Sequence, residues 1–365
     1  MKSMQHIKEA LKKLPILSRI IFSLLRIFVF LQTVLNIVTD KISKHCKESD
    51  VRLAYIGHHT SHKNISDQEF FFAFIGGLTG KKVAISWYKP SLIISSPYGN
   101  YLVYILIKFI LKFSKTPSLF FSGENVHSAY YSRYKNYLYG LPKQAFGFDY
   151  NSPYSTRFPL WLMYIFSGDF VANATLSDVR AKLEKIESKA LLNKGKFAAM
   201  IARHDGVGSV SRSEITQALG AIHPVSCAGK FMHNDDTLLK EFGDNKIEYL
   251  KDFKFNICPE NSASPGYVTE KLFESFQAGC IPIYWGDSNP EPDVLNPKRI
   301  IFWQGESNNA ENLKIVKKIY EEGAKREFFK EPIFVEGADK AIYEYFLILR
   351  RKMADLLESN HSKYN

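Results

Sequence analysis

The chain has 365 residues, 45% of them hydrophobic and 14% aromatic, with 28 Phe and 20 Tyr. That composition excludes a disordered chain, and the length exceeds what one hydrophobic core usually serves, so two domains are expected. The formal charge of +11 favours acidic partners such as nucleic acid, anionic lipid or phosphorylated small molecules, but no paired-cysteine zinc spacing or glycine-aromatic RNA motif accompanies it, which argues against nucleic acid.

Ile16 to Val38 is mostly apolar and follows Lys2, Lys8, Lys12 and Lys13. Its length would suffice to span a bilayer. Arg19, Ser23, Arg26 and Thr33, however, recur at helical intervals and leave a narrow polar stripe. A charge at mid-bilayer costs a few kcal/mol, so the arginines favour a helix lying in the interface over a single span or a buried helix. No small-residue cleavage site follows it, which disfavours a removed signal peptide. Residues 1–50 are therefore set apart as a basic, membrane-associating segment, expected at the cytoplasmic face of a membrane.

From Val51 the pattern becomes α/β. Strands are expected at Val51–Ile56, Val83–Trp87, Leu92–Ser95, Ser118–Phe121 and Ala145–Phe148, each a short apolar run bounded by turn residues. Tyr101–Phe113 is apolar but carries Lys108 and Lys112, and it reads either as a domain helix with one apolar face or as a membrane contact. Residues 51–176 form the expected first domain.

The second domain, residues 177–325, starts with an amphipathic helix over Ser177 and Arg180–Leu192. Strands follow at Lys196–Ala202, Lys254–Cys258, Ile281–Trp285 and Arg299–Trp303, with helices at Ser211–Ile222, Val268–Ala278 and Glu311–Glu321. Such alternation specifies parallel sheets with crossover helices, hence two Rossmann-like domains facing a cleft. Residues 326–365 hold a basic helix, Ala338–Leu357, whose Leu/Ile/Tyr face packs back on the body.

The four cysteines, Cys46, Cys227, Cys258 and Cys280, are widely spaced, as in a chain from a reducing compartment. Asp235-Asp236 invites a metal reading, but they sit where acidic residues begin helices. His58, His59 and His62 lack tight ligand spacing, so no metal site is expected.

The chemistry concentrates in Phe255-Asn-Ile-Cys-Pro-Glu-Asn-Ser262, Gly266-Tyr-Val-Thr-Glu-Lys271 and Ala278-Gly-Cys-Ile-Pro-Ile-Tyr-Trp-Gly-Asp287. Thr269, Glu270 and Lys271 fall in the first turn of a helix, where free N–H groups and the dipole favour a phosphate. Lys271 opposes that dipole unless an anion lies nearby, and Glu270 has the acceptor oxygens suited to a ribose diol. Glu260 and Asn261 either support that site or hydrogen-bond a loop.

These three stretches resemble the α-1,3/4-fucosyltransferases of glycosyltransferase family 10, and the resemblance extends through Arg212, Gly229-Lys230, Asn234 and, more briefly, Ser122-Gly123-Glu124-Asn125. It implies a GT-B fold and an inverting, GDP-fucose-dependent enzyme. By the same resemblance Arg212 and Lys271 match the cations on the donor diphosphate, Tyr267 and Glu270 the positions around guanosine, and Glu124 the general base. Arg212 is otherwise a surface residue after a Ser cap, and Glu124 a turn residue. The cysteine pairs of animal members are missing, which points to a bacterial-type enzyme. The implied acceptor is a galactose- or N-acetylglucosamine-containing glycan of a surface polysaccharide, carried on lipid. No obligatory cofactor is implied, a divalent cation at most stimulating the reaction. Two alternatives stay open: a catalytically idle GDP-sugar-binding subunit of a membrane assembly complex, and the same fold using another donor.

Overall fold

The computed structural model describes residues 15–42, 51–58, 65–189, 195–206, 209–304, 306–322 and 330–359. Its main helices are α1 (Pro15–Ile42), α2 (Phe70–Thr79), α3 (Tyr101–Phe113), α4 (Leu176–Lys189), α5 (Arg212–Gly220), α6 (Glu270–Gln277), α7 (Glu306–Glu322) and α8 (Ala338–Glu358).

The first sheet holds β1 (Val51–Ile56), β2 (Val83–Ile85), β3 (Leu92–Ser95), β4 (Ser118–Phe121), β5 (Gln144–Gly147) and β6 (Thr156–Arg157), in the spatial order β2-β1-β3-β4-β5-β6. The second holds β7 (Lys196–Met200), β8 (Val225–Cys227), β9 (Phe253–Ile257), β10 (Ile281–Tyr284) and β11 (Ile301–Phe302), in the order β11-β10-β9-β7-β8. Every pairing in both sheets is parallel, with Leu53 opposite Leu92 in the first and Ile283 opposite Ile257 in the second. Helices cover both faces of such sheets, which is why β3, β4 and β10 are buried at every residue and read as continuous apolar runs. The architecture is the expected two-domain GT-B arrangement of facing α/β units.

The core does not follow the chain order. Val179, Leu183 and Ile186 of α4, Leu272, Phe273 and Phe276 of α6, and Ile342, Phe346, Leu349 and Met353 of α8 all join the cluster under the first sheet. Trp161 stacks on Phe273 with centroids 4.1 Å apart and so seats α6 of the second unit on the first. A separate cluster of Phe197, Met200, Ile215, Phe255, Ile283 and Trp303 fills the second sheet.

Several boundaries move for local reasons. The helix expected from Val268 starts at Glu270, because Thr269 takes an extended capping conformation. The strand expected over Arg299–Trp303 shortens to Ile301–Phe302, because Pro297–Arg299 forms a 3-10 turn. Helix α2, Phe-Phe-Phe-Ala-Phe-Ile-Gly-Gly-Leu-Thr, was not anticipated. Glu69 caps it, accepting from Phe72 N at 2.9 Å, and a left-handed Gly80 ends it.

Candidate active site in the interdomain cleft

In parallel α/β sheets ligands gather at the carboxyl ends of the strands. The loops at those ends meet here across the interface. From the first unit come the β3 loop with Tyr98 and the β4 loop with Gly123 and Glu124. The second unit contributes Asn261 after β9, then Tyr267, Thr269, Glu270 and Lys271. All of them line one pocket, closed on its remaining side by Leu160, Met163 and Tyr164. Arg212 lines an adjoining pocket that shares Glu270 and Lys271 with the first.

Glu124 is presented by a tight turn. Ser122 Oγ donates to Glu124 O at 2.7 Å and accepts from Glu124 N at 3.1 Å. Asn125 Nδ2 then donates across the interface to Ser262 Oγ at 2.9 Å, fixing the two loops together. Burial raises the Glu124 carboxyl above its ordinary value, opposed by the Lys271 cation and by Tyr98. The Tyr98 hydroxyl stands 3.5 Å from Glu124 Oε1, a long contact of the kind expected before a substrate tightens the site.

Arg212 is the first residue of α5, whose Ser211 cap accepts from Glu214 N. It is 5% exposed, so it is no surface residue. Its guanidinium donates to His204 O at 2.7 Å and to Asn261 Oδ1 at 2.9 Å. Burial lowers its pKa, but an arginine stays charged in proteins. His204 is held below its ordinary value by burial and by the Arg212 and Lys271 charges.

Lys271 and Glu260 form the floor. Glu260, 2% exposed, accepts from Thr269 N at 2.7 Å, from Thr269 Oγ1 and from Lys271 Nζ at 3.0 Å. It thus caps α6, a task the Thr269 side chain leaves undone. The anion that Lys271 requires at a helix start is supplied here by Glu260, with Glu270 at 3.5 Å as a second. Burial works against the Lys271 charge, yet Glu260 and Glu270 outweigh it and raise the pKa above the usual lysine value. For Glu270, burial is outweighed in turn by Lys271 and Lys246, and its carboxyl is held low.

Tyr267 is buried edge-on against Phe148, 5.2 Å between centroids, and joins the cleft wall to the first sheet. The preceding Gly266 has φ of +78°, and a Cβ there would lie 2.4 Å from Phe148 O, so only glycine fits.

All six second-unit residues singled out from the sequence, Arg212, Glu260, Asn261, Tyr267, Glu270 and Lys271, lie in these two pockets or bond to residues that do, and Glu124 faces them. Tyr98, Tyr164 and His204 were not anticipated. For Tyr98 a signal existed, since Pro97-Tyr98-Gly99 begins one residue past the end of a parallel strand. The aspartates at 235 and 236 are engaged by protein partners: Asp235 by Thr237 and Tyr249, Asp236 by His233 and Lys240. His58 packs edge-on against Tyr55 beside Glu69, whereas His59, His62 and Cys46 lie outside the described residues.

The fold thus assembled is that of the GT-B glycosyltransferases. Crystal structures of an α1,3-fucosyltransferase superpose on it, one with a TM-score of 0.53 at 19% identity over 82% of this chain and 90% of that one. Another, determined with GDP-fucose, gives 0.50 at 18% over 87% and 97%.

More particularly, residues 191–312 match the family model "Glycosyltransferase family 10 (fucosyltransferase) C-term". Over 105 residues the chain is 35% identical to the alpha-(1,3)-fucosyltransferase FucT of Helicobacter pylori, a match covering 29% of this chain and 20% of that protein. Over 52 residues it is 42% identical to the alpha-(1,4)-fucosyltransferase of Arabidopsis thaliana, covering 14% and 13%. The matched stretches thus span a fifth or less of these relatives' own lengths.

Proposed function

We propose that the chain is an inverting fucosyltransferase of glycosyltransferase family 10, which transfers L-fucose from GDP-fucose in α-1,3 or α-1,4 linkage to a galactose- or N-acetylglucosamine-containing glycan. One observation carries the reading: a half-buried carboxylate from the first unit, Glu124, lines one pocket with Lys271 of the second, and Arg212 lines the adjoining pocket that shares Lys271. The second-unit residues lie within the stretch matched by the family model.

In this mechanism GDP-fucose lies along the second unit, with Tyr267 and Glu270 around the guanosine and Glu270 on its ribose. Glu260 and Asn261 hold Lys271 and Arg212 in place. Glu124 takes the proton of the acceptor hydroxyl as its oxygen attacks the anomeric carbon from the first-unit side. The bond from that carbon to the β-phosphate oxygen breaks, and its electron pair leaves with GDP. Arg212 and Lys271 stabilise the negative charge that grows on the leaving diphosphate, where donors fixed in advance are most effective. In-line displacement converts the β-linked donor into an α-linked product. The two cations fill the role a metal would otherwise take, so a divalent ion is not required. The absence of the animal-type cysteine pairs supports a bacterial-type enzyme, and the basic, apolar N-terminal segment supports work at the cytoplasmic face of a membrane on lipid-carried surface polysaccharide.

The test is transfer of radiolabelled fucose from GDP-fucose to lactose, N-acetyllactosamine and lipid-linked acceptors, with Glu124→Ala and Lys271→Ala as controls. Transfer by the wild type that both variants abolish supports the reading. GDP binding with no turnover on any acceptor, or turnover of a different nucleotide sugar, would replace it with an idle subunit or another donor.

A further inference from the structure

Helix α1 has an 18-residue apolar window, Ser23–Asp40, long enough to cross a bilayer, and none of that window is buried. Yet the helix is fastened to the first domain along its length. Asn100, which caps α3, donates to Arg26 O at 2.9 Å. The Asp40 carboxylate accepts from Trp87 N and from Ser86 Oγ, and Ile37 packs against the core. At helical pitch the two polar ties lie about 21 Å apart. A helix tied to a globular surface at both ends of its apolar stretch cannot thread a membrane without breaking those ties.

Helix α3, against which α1 packs, is apolar on two sides. Val103, Ile107 and Leu111 face the core, while Tyr101, Ile105, Phe109 and Phe113 stand exposed at four-residue intervals. Phe109 and Phe113 are 60% and 63% exposed, with rings 4.8 Å apart. On the outer side of α1, Leu24, Phe28, Leu31 and Leu35 are exposed as well. The outer rim is basic: Arg26, Lys108, Lys112 and Lys115 are exposed, α3 contains no acidic residue, and the only one in α1 is the engaged Asp40. The Lys112 ammonium lies 5.5 Å from the centroid of the Phe113 ring, so the charge sits at the edge of the apolar patch.

We propose that α1 and α3 together form a two-helix platform that lies in the plane of an anionic membrane surface. Its rings and aliphatic side chains enter the acyl boundary, and its lysines and arginine meet the headgroups. A second copy of the chain is the poorer occupant, since two such basic rims would repel. The platform also sets an orientation. Tyr98, which lines the pocket with Glu124, stands two residues before the cap of α3, so the first-unit side of the cleft opens next to the lipid plane. This last point rests on the proposed transferase reading, whereas docking itself does not.

Sedimentation of the full chain with vesicles tests it, using phosphatidylcholine alone and phosphatidylcholine with phosphatidylglycerol. The wild type should bind the anionic vesicles more tightly. Phe109→Ser with Phe113→Ser, both exposed positions, should weaken vesicle binding at least about tenfold while GDP binding and the circular dichroism spectrum stay unchanged. Lys108→Gln with Lys112→Gln should lose about tenfold on anionic vesicles alone. Binding by the Phe pair variant equal to wild type would overturn the proposal, as α1 alone would then carry the attachment. So would a wild type that ignores vesicles and instead dimerises through these rings, seen by analytical ultracentrifugation.

Discussion

Glu260 and Lys271 face each other at 3.0 Å on the floor of the cleft, the glutamate side chain wholly buried and the lysine open on one side. The pair answers a conflict written into the sequence. A lysine in the first turn of a helix opposes the dipole, and a buried carboxylate is costly alone. Placed together, with Glu260 also bonding Thr269 N, each removes the other's penalty and α6 gains its cap. Glu260→Ala should therefore lower stability by about 2–4 kcal/mol, since it takes from Lys271 the nearer of its two anions and uncaps a helix. Glu260→Gln keeps an acceptor for Thr269 N and should cost about 1–3 kcal/mol. Urea unfolding followed by tryptophan fluorescence separates the two; equal losses would mean that the carboxylate charge carries the whole contribution and the retained cap acceptor none.

Both cations should matter for GDP binding and for the fold. Lys271→Ala should lower GDP affinity about 10- to 100-fold by isothermal titration, and it should also lower stability, because the buried Glu260 loses its cation. Arg212→Lys keeps the charge but not the fork that bonds His204 O and Asn261 Oδ1. It should lose GDP affinity and stability together, the latter by about 1–3 kcal/mol. A stable Arg212→Lys protein with wild-type GDP affinity would remove Arg212 from the site.

Activity should carry the signature of the raised Glu124 carboxyl. A general base works deprotonated, so kcat/KM should rise with pH along a limb lying above the ordinary glutamate value. The sign of a perturbation follows from the groups around it. Tyr98 lowers the Glu124 pKa by donating to it, so Tyr98→Phe should move the acid limb to higher pH. For stability the direction is opposite: a carboxyl whose folded pKa is raised favours the fold while protonated, and that contribution is lost as pH rises through the folded pKa. A limb that stays put in Tyr98→Phe would mean that another group titrates.

The sequence revealed the second unit more fully than the first, for a physical reason. Around Glu260 and Lys271 the chain must cap a helix, turn on Gly266 and bury a strand within a few residues, and few residue types meet those demands together. The first-unit side of the pocket is built by Tyr98, Tyr164 and Met163, single side chains on separate loops with no spacing to read. Helix α2 escaped notice because an apolar run of its length, polar on no face, reads equally well as a buried strand. The exposed stripe of α3 was ambiguous as well, since periodicity shows which residues are apolar but not which side the core will take.

Behind the donor loop lies a last pair, Arg157 and Glu291, which joins the units through a buried contact of 2.6 Å. Arg157 also stacks over Tyr150, 4.2 Å from its centroid, and Tyr150 Oη donates to Asp287 Oδ2, which holds Gly266 N at 2.7 Å. The ion pair therefore braces the loop that carries Tyr267. Removing either partner leaves the other as an unpaired buried charge, so Arg157→Met or Glu291→Met should each cost about 3–5 kcal/mol. The double variant should cost clearly less than the two losses added, because no charge is then stranded. A double-mutant cycle by urea unfolding measures that coupling, and simple additivity would show that the two side chains act independently. GDP affinity supplies the functional half of the test. It should weaken in both single variants, because a loosened Tyr150–Asp287 contact frees Gly266, and it should recover partly in the double variant as the loop is packed again from behind.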